Sequence, residues 1–334
     1  DKQRRKMSKS LGNSPDPIEL MKKYGADGVR AGMLFSAPAG NDLLFDEKLC
    51  EQGRNFSNKL WNAFRLIQTL EVSNKGNDQS LAIEWINSRF NEVLNDVEDH
   101  FSKYRISDAL LSLYTFIWDD FCSWYLEIIK DNSISDKTHK GTLAVMDKIL
   151  KTLHPFMPFI TEELWNQIDE GRDYIMISEY PKPEKFNTKL NEDFKKVFEM
   201  VSGLRKLKSD NKMKQIDIVG VMVNKKSDFD FSRYRELIEK LSKTKNFQEV
   251  NEIPSNYPTL ISGKDTLCLA IEKSEDSKED TLKQIEYLEG FLKSVDKKLS
   301  NKSFVDNAPQ NVVDIERKKR DDALIKLENL KNTL

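Results

Sequence analysis

Cysteine is scarce in this sequence: three residues in 334, at positions 50, 122 and 268. They are far apart and odd in number, and no Cys-x-x-Cys pair exists, which excludes a zinc ribbon or knuckle. Free buried thiols in a reducing cytosol are the expectation. Histidine is as rare, at 100, 139 and 154, with no ligand spacing, so no metal site is expected. Long apolar runs are missing too. None reaches the ~18–20 residues of a membrane helix, and Asp1-Lys2-Gln3-Arg4-Arg5 is not the start of a signal peptide. Net charge is nearly absent, −2 from 53 basic and 55 acidic residues. A polyanionic partner must therefore be met by local basic patches. What is abundant is charge itself, 32% against 38% hydrophobic residues, which suggests long solvated helices. The length allows two or three domains and a sizeable core. The chain starts without Met, inside a functional motif, and reads as a fragment whose N-terminal part lies upstream.

The most informative stretch is Lys6-Met7-Ser8-Lys9-Ser10, followed by Leu11-Gly12-Asn13-Ser14-Pro15-Asp16-Pro17. Two lysines three apart, with hydroxyls between and after them, can surround a polyphosphate. An ammonium is a compact point charge with three rotatable donors, suited to oxygens that shift during a reaction. Gly12 and Asn13 make turns and leave a loop able to move. A helix start follows, with Asp16 as cap, Pro17 at the first helical position and Glu19 three after the cap.

Residues 18–35 read as two short helices broken at Gly25, and 36–44 as loop. Glu47 to Leu70 is helical, with Leu49, Phe56, Leu60, Phe64, Ile67 and Leu70 on its apolar face. A second face carries Asn55, Asn58, Asn62 and Arg65. It is either a hydrogen-bonding surface for bases and sugars or a set of amides paired between packed helices. Residues 71–80 read as loop. Helices are predicted at Ser80–His100, Arg105–Lys130 and Lys140–Leu153, with His154 to Phe159 as a break and Ile160–Ile168 as a short helix capped by Thr161. The aromatic stripe of Arg105–Lys130 reads as core. Strands are predicted at Tyr174–Ile177, Ile216–Val223, Phe247–Val250, Thr259–Ile261 and Thr266–Ile271. Helices are predicted at Asn191–Lys208, whose basic residues are Lys195, Lys196, Arg205, Lys206 and Lys208, and at Arg233–Leu241. A polar linker, 274–280, leads to two apolar repeats. One is Leu282, Ile285, Leu288, Leu292, Val295 and Leu299; the other is Ile315, Ala323, Leu327, Leu330 and Leu334. They predict an antiparallel two-helix coiled coil. Its Arg317-Lys318-Lys319-Arg320 cluster is a candidate for RNA phosphates or a solvated face.

The expected fold is thus mainly α, in four parts. Residues 1–46 carry the lysine loop and a connecting segment, 47–173 an antiparallel helix bundle, 174–273 a small α+β domain, and 274–334 the coiled coil.

The string at 6–10, with Leu11-Gly12-Asn13 and Pro15-Asp16-Pro17 after it, resembles the KMSKS signature of class I aminoacyl-tRNA synthetases. Arg54-Asn55-Phe56-Ser57-Asn58-Lys59-Leu60-Trp61-Asn62-Ala63 resembles the helix that opens the anticodon-binding bundle of the valyl, isoleucyl and leucyl members. Leu153-His154-Pro155-Phe156-Met157-Pro158-Phe159-Ile160-Thr161-Glu162-Glu163-Leu164-Trp165 resembles that bundle's later signature. Leu299-Ser300-Asn301, Phe304-Val305, Ala308-Pro309, Val312-Val313 and Glu316-Arg317 are similar to the C-terminal arm of the valyl family. Isoleucyl members commonly end in a cysteine-ligated zinc module, which this chain cannot form.

The resemblance implies ATP-dependent attachment of valine to tRNA(Val), with Mg as the usual counter-ion of ATP, by a cytoplasmic monomer. It assigns Lys6 and Lys9 to the charge that grows as pyrophosphate leaves, with Ser8 and Ser10 beside them on ATP. Asn58, Asn62 and Arg65 become candidates for anticodon bases. Arg205 and Lys206, and Arg317 and Lys318 on the arm, become candidates for the tRNA backbone. The HIGH-type motif, the valine pocket and the editing site are not in these residues. The isolated chain is therefore expected to bind tRNA without activating valine. The rival readings are an isoleucyl or leucyl fragment and a non-enzymatic RNA-binding coiled-coil module.

Overall fold

Glycines set the first joint of the fold. The computed structural model describes residues 1–169, 171–271, 275–301 and 310–331. After the lysine loop come α1 (Pro17–Tyr24) and α2 (Ala26–Phe35), and α2 crosses α3 (Glu47–Thr69) at backbone distance. A Cβ on Gly32 would stand 2.6 Å from the Cys50 amide nitrogen, and one on Gly53 2.5 Å from the Gly28 carbonyl oxygen. Only glycine allows this approach. Leu20 and Tyr24 of α1 close the joint against Cys50, with Val29 and Phe45 packed around them. Ile18 and Met21, on the same helix, are exposed.

The chain forms two compact units, Asp1–Glu192 and Asp193–Leu334. The first continues with an extended segment, β1 (Val72–Asn77), where a loop was predicted. Val72 and Asn77 both bridge Ile134, which is fully buried, and Gly76 leaves no room for a Cβ against it. Then come α4 (Ser80–Ser102), α5 (Ile106–Thr115), α6 (Leu126–Ile129), α7 (Asp136–Leu153) and α8 (Pro158–Ile168). The single helix predicted over 105–130 is interrupted. Phe116–Tyr125 between α5 and α6 is π-helical, a widening that periodicity alone does not reveal. Ile86, Phe90, Val93 and Val97 of α4, Phe116, Phe121 and Tyr125 of the π-helical segment, and Met146 and Ile149 of α7 are buried. Tyr174–Ile177, predicted as strand, ends in a 3-10 turn, Ile175–Ile177. Only Ile175 reaches the core; Met176 and Ile177 are exposed.

The second unit holds most of α9 (Thr188–Asp210), then β2 (Val219–Asn224), α10 (Phe231–Ser242), β3 (Thr244–Glu249), β4 (Thr259–Ser262) and β5 (Asp265–Leu269). The sheet order is β3-β2-β5-β4. β2 and β3 run parallel across the α10 connection, and the other pairings are antiparallel. Val221 and Val223 alternate inward with Leu267 and Leu269. Phe194, Val197, Val201 and Leu204 of α9 and Tyr234 and Ile238 of α10 are buried in the same unit. β2 starts later than predicted: Ile216 and Ile218 precede it and are exposed.

Two further helices, α11 (Glu275–Leu299) and α12 (Gln310–Lys331), pack on each other. α11 takes in most of the predicted linker. Ile285, Leu292 and Val295 are buried, as are Val313, Glu316 and Ala323. Ion pairs between Glu289 and Lys331 (2.6 Å) and between Lys298 and Glu316 (3.7 Å) set an antiparallel register. Val313 takes the inward position expected of Ile315, which is exposed, as is Leu282. Phe304, Val305, Ala308, Pro309 and Leu334 lie outside the described residues.

Candidate nucleotide and nucleic-acid sites

The lysine loop takes its shape from polar contacts, because no side chain before Leu20 is buried. Ser8 caps a 3-10 turn, Lys9–Leu11, its hydroxyl accepting from the Leu11 amide at 3.3 Å and sharing a hydrogen bond with Ser10 Oγ at 3.1 Å. Gly12, at φ +65°, ends the turn and donates to the Lys9 carbonyl at 3.1 Å. Asn13 folds back: its Oδ1 accepts from the Ser8 amide at 2.9 Å, and its Nδ2 donates to the Lys6 carbonyl at 3.2 Å and to Asp1 at 3.0 Å. Lys6 and Lys9 are exposed, and among the described residues neither ammonium has an acidic partner. Two cations are thus held on a braced backbone with their charge uncompensated.

Asp16 caps α1 as predicted, accepting from the Ile18 and Glu19 amides at 2.7 and 3.4 Å. Glu19 pairs forward with Lys22 at 2.7 Å, a helical i,i+3 contact that competes with closing a capping box.

A second construction joins this segment to α8, and the sequence reading missed it. The buried Asp27 of α2 accepts from the Phe159 and Ile160 amides at 3.3 and 2.6 Å. Arg30, one turn on, donates to the Phe156 and Pro155 carbonyls at 3.2 and 3.1 Å. Asp27 therefore does for α8 what was expected of Thr161. The threonine is buried inside the helix, its hydroxyl donating to the Met157 carbonyl at 2.8 Å and paired with His154 Nδ1 at 2.8 Å. A cap side chain must precede the helix, and Thr161 lies in it. Burial pushes the Asp27 carboxyl above its ordinary range, although the two amides and Arg30 oppose the shift. Burial also lowers the His154 imidazole. The one available signal was the Pro-broken turn at 155–158, whose first helical amides need an acceptor.

On α3, Asn55, Asn58, Asn62 and Arg65 are all exposed, and among the described residues none of their side chains hydrogen-bonds within the chain. The stripe is therefore not a set of amides paired between helices. Beside it, the Lys59 ammonium sits 5.2 Å from the Trp118 ring centroid, and Trp118 stacks on Tyr114 at 5.5 Å. Amides with free edges next to an aromatic stack are the donors and platforms that splayed bases use.

The basic candidates divide. Arg205 Nε and Nη2 both donate to the Leu241 carbonyl, at 3.0 and 2.7 Å, closing the end of α10. Lys208 is fully buried and its ammonium donates to the carbonyls of Asp217, Ser242 and Lys243 at 2.7, 2.8 and 2.7 Å, with Gln215 at 3.5 Å. Burial pushes its pKa down. Lys206 is exposed and without an acidic partner among the described residues. On α12, Arg317 pairs with Asp314 at 3.5 Å, Lys319 with Glu316 at 2.8 Å and Arg320 with Asp321 at 2.9 Å. Lys318 is exposed, with no ion pair among the described residues. Lys195 and Lys196 of α9 are likewise exposed and without an acidic partner among the described residues. No group of three or more His, Cys, Asp or Glu is placed to hold a metal among the described residues, and no helix among them is long and apolar enough to cross a membrane.

Comparison with known proteins gives three family matches. Residues 1–46 match the model of class I tRNA synthetases (I, L, M and V), 84–222 the anticodon-binding domain of tRNA ligase, and 275–334 the valyl tRNA synthetase tRNA binding arm. A valine–tRNA ligase of Christiangramia forsetii is 45% identical over 100% of this chain and 39% of its own length. Those of Phocaeicola vulgatus and Porphyromonas gingivalis are 43% and 41% identical with the same coverage. The chain thus spans 39% of the length of the curated relatives it matches. Among solved structures, a chain of the ternary LeuRS-tRNA-LeuAMS complex of Agrobacterium radiobacter K84 agnB2 covers 57% of this chain at 18% identity and a TM-score of 0.41, too slight a likeness to bear on fold or function.

Proposed function

On the premise that this chain is homologous over its whole length to valine–tRNA ligases of class I, we propose that it is the loop-bearing and tRNA-facing part of such a ligase. The parent reaction joins valine to ATP, releasing pyrophosphate and giving valyl-adenylate, and then passes the valyl group to the 3′-terminal ribose of tRNA(Val). The chemistry asks for charge stabilisation and alignment. Lys6 and Lys9 supply the first. As the bond to the α-phosphorus of ATP breaks, negative charge grows on the departing pyrophosphate, and two uncompensated ammoniums neutralise it. Ser8 and Ser10 can turn their hydroxyls from each other to phosphate oxygens.

The rest of the chain binds RNA. Residues 47–173 form an antiparallel bundle whose Asn58, Asn62 and Arg65 face the anticodon. Residues 174–273 are a small α+β domain that offers Lys206, and Arg205 with less freedom, to the tRNA backbone. Residues 274–334 are a two-helix coiled-coil arm that presents Lys318, and Arg317 beside it, to the body of the tRNA. The inward positions at 285, 292 and 295 and at 313, 316 and 323 support the coiled coil, since they keep heptad spacing. We assign the parent to the cytoplasm as a monomer, with ATP bound as its magnesium complex.

The observation that carries this reading is the pair of unpartnered, exposed lysines at 6 and 9, on a braced loop within a chain homologous to valine–tRNA ligases from end to end. Lys9→Ala in the full-length enzyme tests it. Valine-dependent ATP–pyrophosphate exchange should fall by roughly 10²-fold or more, with tRNA affinity retained. Exchange at the unsubstituted rate would refute the role given to the loop.

A further inference from the structure

The phosphate loop has no core of its own. From Asp1 to Glu19 no side chain is buried, so apolar packing cannot hold Lys6 and Lys9 at a fixed separation. One side chain bridges the two ends of the loop. Asn13 uses its carbonyl oxygen on the Ser8 amide at 2.9 Å and its amide nitrogen on the Lys6 carbonyl at 3.2 Å, bracketing Met7 between them. Its nitrogen also donates to Asp1 at 3.0 Å, and Asp1 in turn pairs with Arg5 at 2.7 Å. The Gly12 turn carries the chain round so that Asn13 reaches back over residues 6–8. Both faces of the amide are therefore used. Aspartate would lack the donor for the Lys6 carbonyl and would set a carboxylate against Asp1, and alanine would lack both groups.

We propose that Asn13 is a positioning residue for the pyrophosphate-leaving step: it fixes the backbone of Lys6 and Ser8 so that Lys6 and Lys9 reach one polyphosphate together. This rests on the ATP-loop reading above. Asn13 touches no reacting atom, and it acts through the lysines.

A double-mutant cycle in the full-length ligase tests it, read by ATP–pyrophosphate exchange. Asn13→Ala should lower the exchange kcat by roughly ten- to a hundredfold, because an ångström of misplacement costs that much. The KM for valine and the affinity for tRNA should stay unchanged. Added to the variant that lacks both lysines, Lys6→Ala with Lys9→Ala, Asn13→Ala should change exchange little further, since a brace has no effect once both groups it positions are gone. Asn13→Asp, a second variant that keeps the acceptor for Ser8, should also be impaired. The proposal is overturned if either Asn13 variant exchanges within about twofold of the unsubstituted enzyme while Lys9→Ala is impaired, or if the Asn13→Ala loss multiplies with that of the variant lacking both lysines. An unimpaired Lys9→Ala would overturn the ATP-loop reading itself, which separates the two failures.

Discussion

Replacing Lys208 by methionine keeps most of the side-chain volume and removes the ammonium. Three carbonyls that now accept at 2.7–2.8 Å, from Asp217, Ser242 and Lys243, would lose their donor in a site with no solvent exposure. Each buried acceptor left unpaired costs about 1–3 kcal/mol, so the gross loss is ~3–9 kcal/mol. Against this, the ammonium no longer has to be kept out of water, a relief of several kcal/mol. The net expectation is a loss of ~1–5 kcal/mol. For a unit of this size that lowers the melting midpoint by roughly 2–20 °C, at about 2–4 °C per kcal/mol. The composition supplies the assay. All five tryptophans, at 61, 85, 118, 124 and 165, fall in the first unit. Their fluorescence reports that unit alone, whereas far-UV circular dichroism reports both. Lys208→Met should shift the dichroism transition downward and leave the fluorescence transition in place. A dichroism midpoint within about 1 °C of the unsubstituted chain would refute the reasoning, and would mean that water or the chain itself satisfies those carbonyls without the lysine.

Asp27→Asn places an amide N–H against one of the two α8 amides that the carboxylate now accepts. Tryptophan fluorescence should show the first unit destabilised by about 1–3 kcal/mol; a change under about 0.3 kcal/mol would contradict the capping role. His154 has a pKa lowered below its ordinary value by burial. The unfolded chain therefore binds the proton more tightly, and stability present above pH ~6.5 is lost as pH falls through the lower folded pKa. His154→Gln should flatten that slope in fluorescence melts taken from pH 7 to pH 5, and an unchanged slope would place its origin elsewhere. Asn58→Ala with Asn62→Ala should weaken tRNA binding without altering its salt dependence, because neutral amides release no counterions. Lys206→Ala and Lys318→Ala should each reduce the log–log salt slope by about 0.7–0.9, and filter-binding titrations across salt concentrations would separate the two classes.

Much of this was legible because it is local. The cap at Asp16 and the long helices follow from spacing and turn chemistry that sit within a few residues. The lysine loop was legible for the same reason. What stayed hidden depends on partners distant in sequence. Thr161 looks like a cap until Asp27, over a hundred residues earlier, is found to hold the Phe159 and Ile160 amides that open α8. Arg205 and Lys208 look like two more cations on a basic helix until the fold brings the end of α10 over them. Tyr174–Ile177 has the β-branched and aromatic composition of a strand, but Met176 and Ile177 are exposed, so nothing draws both faces into a core. The Asn stripe was ambiguous in the sequence because amides serve packing and recognition equally well, and only exposure separates the two.

The crossing of α2 over α3 has a mechanical consequence. Gly28, Gly32 and Gly53 bring two backbones together with only Ala31 Cβ, Arg54 Cβ and Cys50 Sγ at the crossing, too short to act as a cushion. Interleaved side chains can change rotamer and absorb a small displacement; bare backbone can only move as a body. The same helix is tied by Asp27 and Arg30 to the turn at 155–160. The segment that follows the lysines thus meets α3 through bare backbone and α8 through four hydrogen bonds, and it keeps both joints only by moving with them.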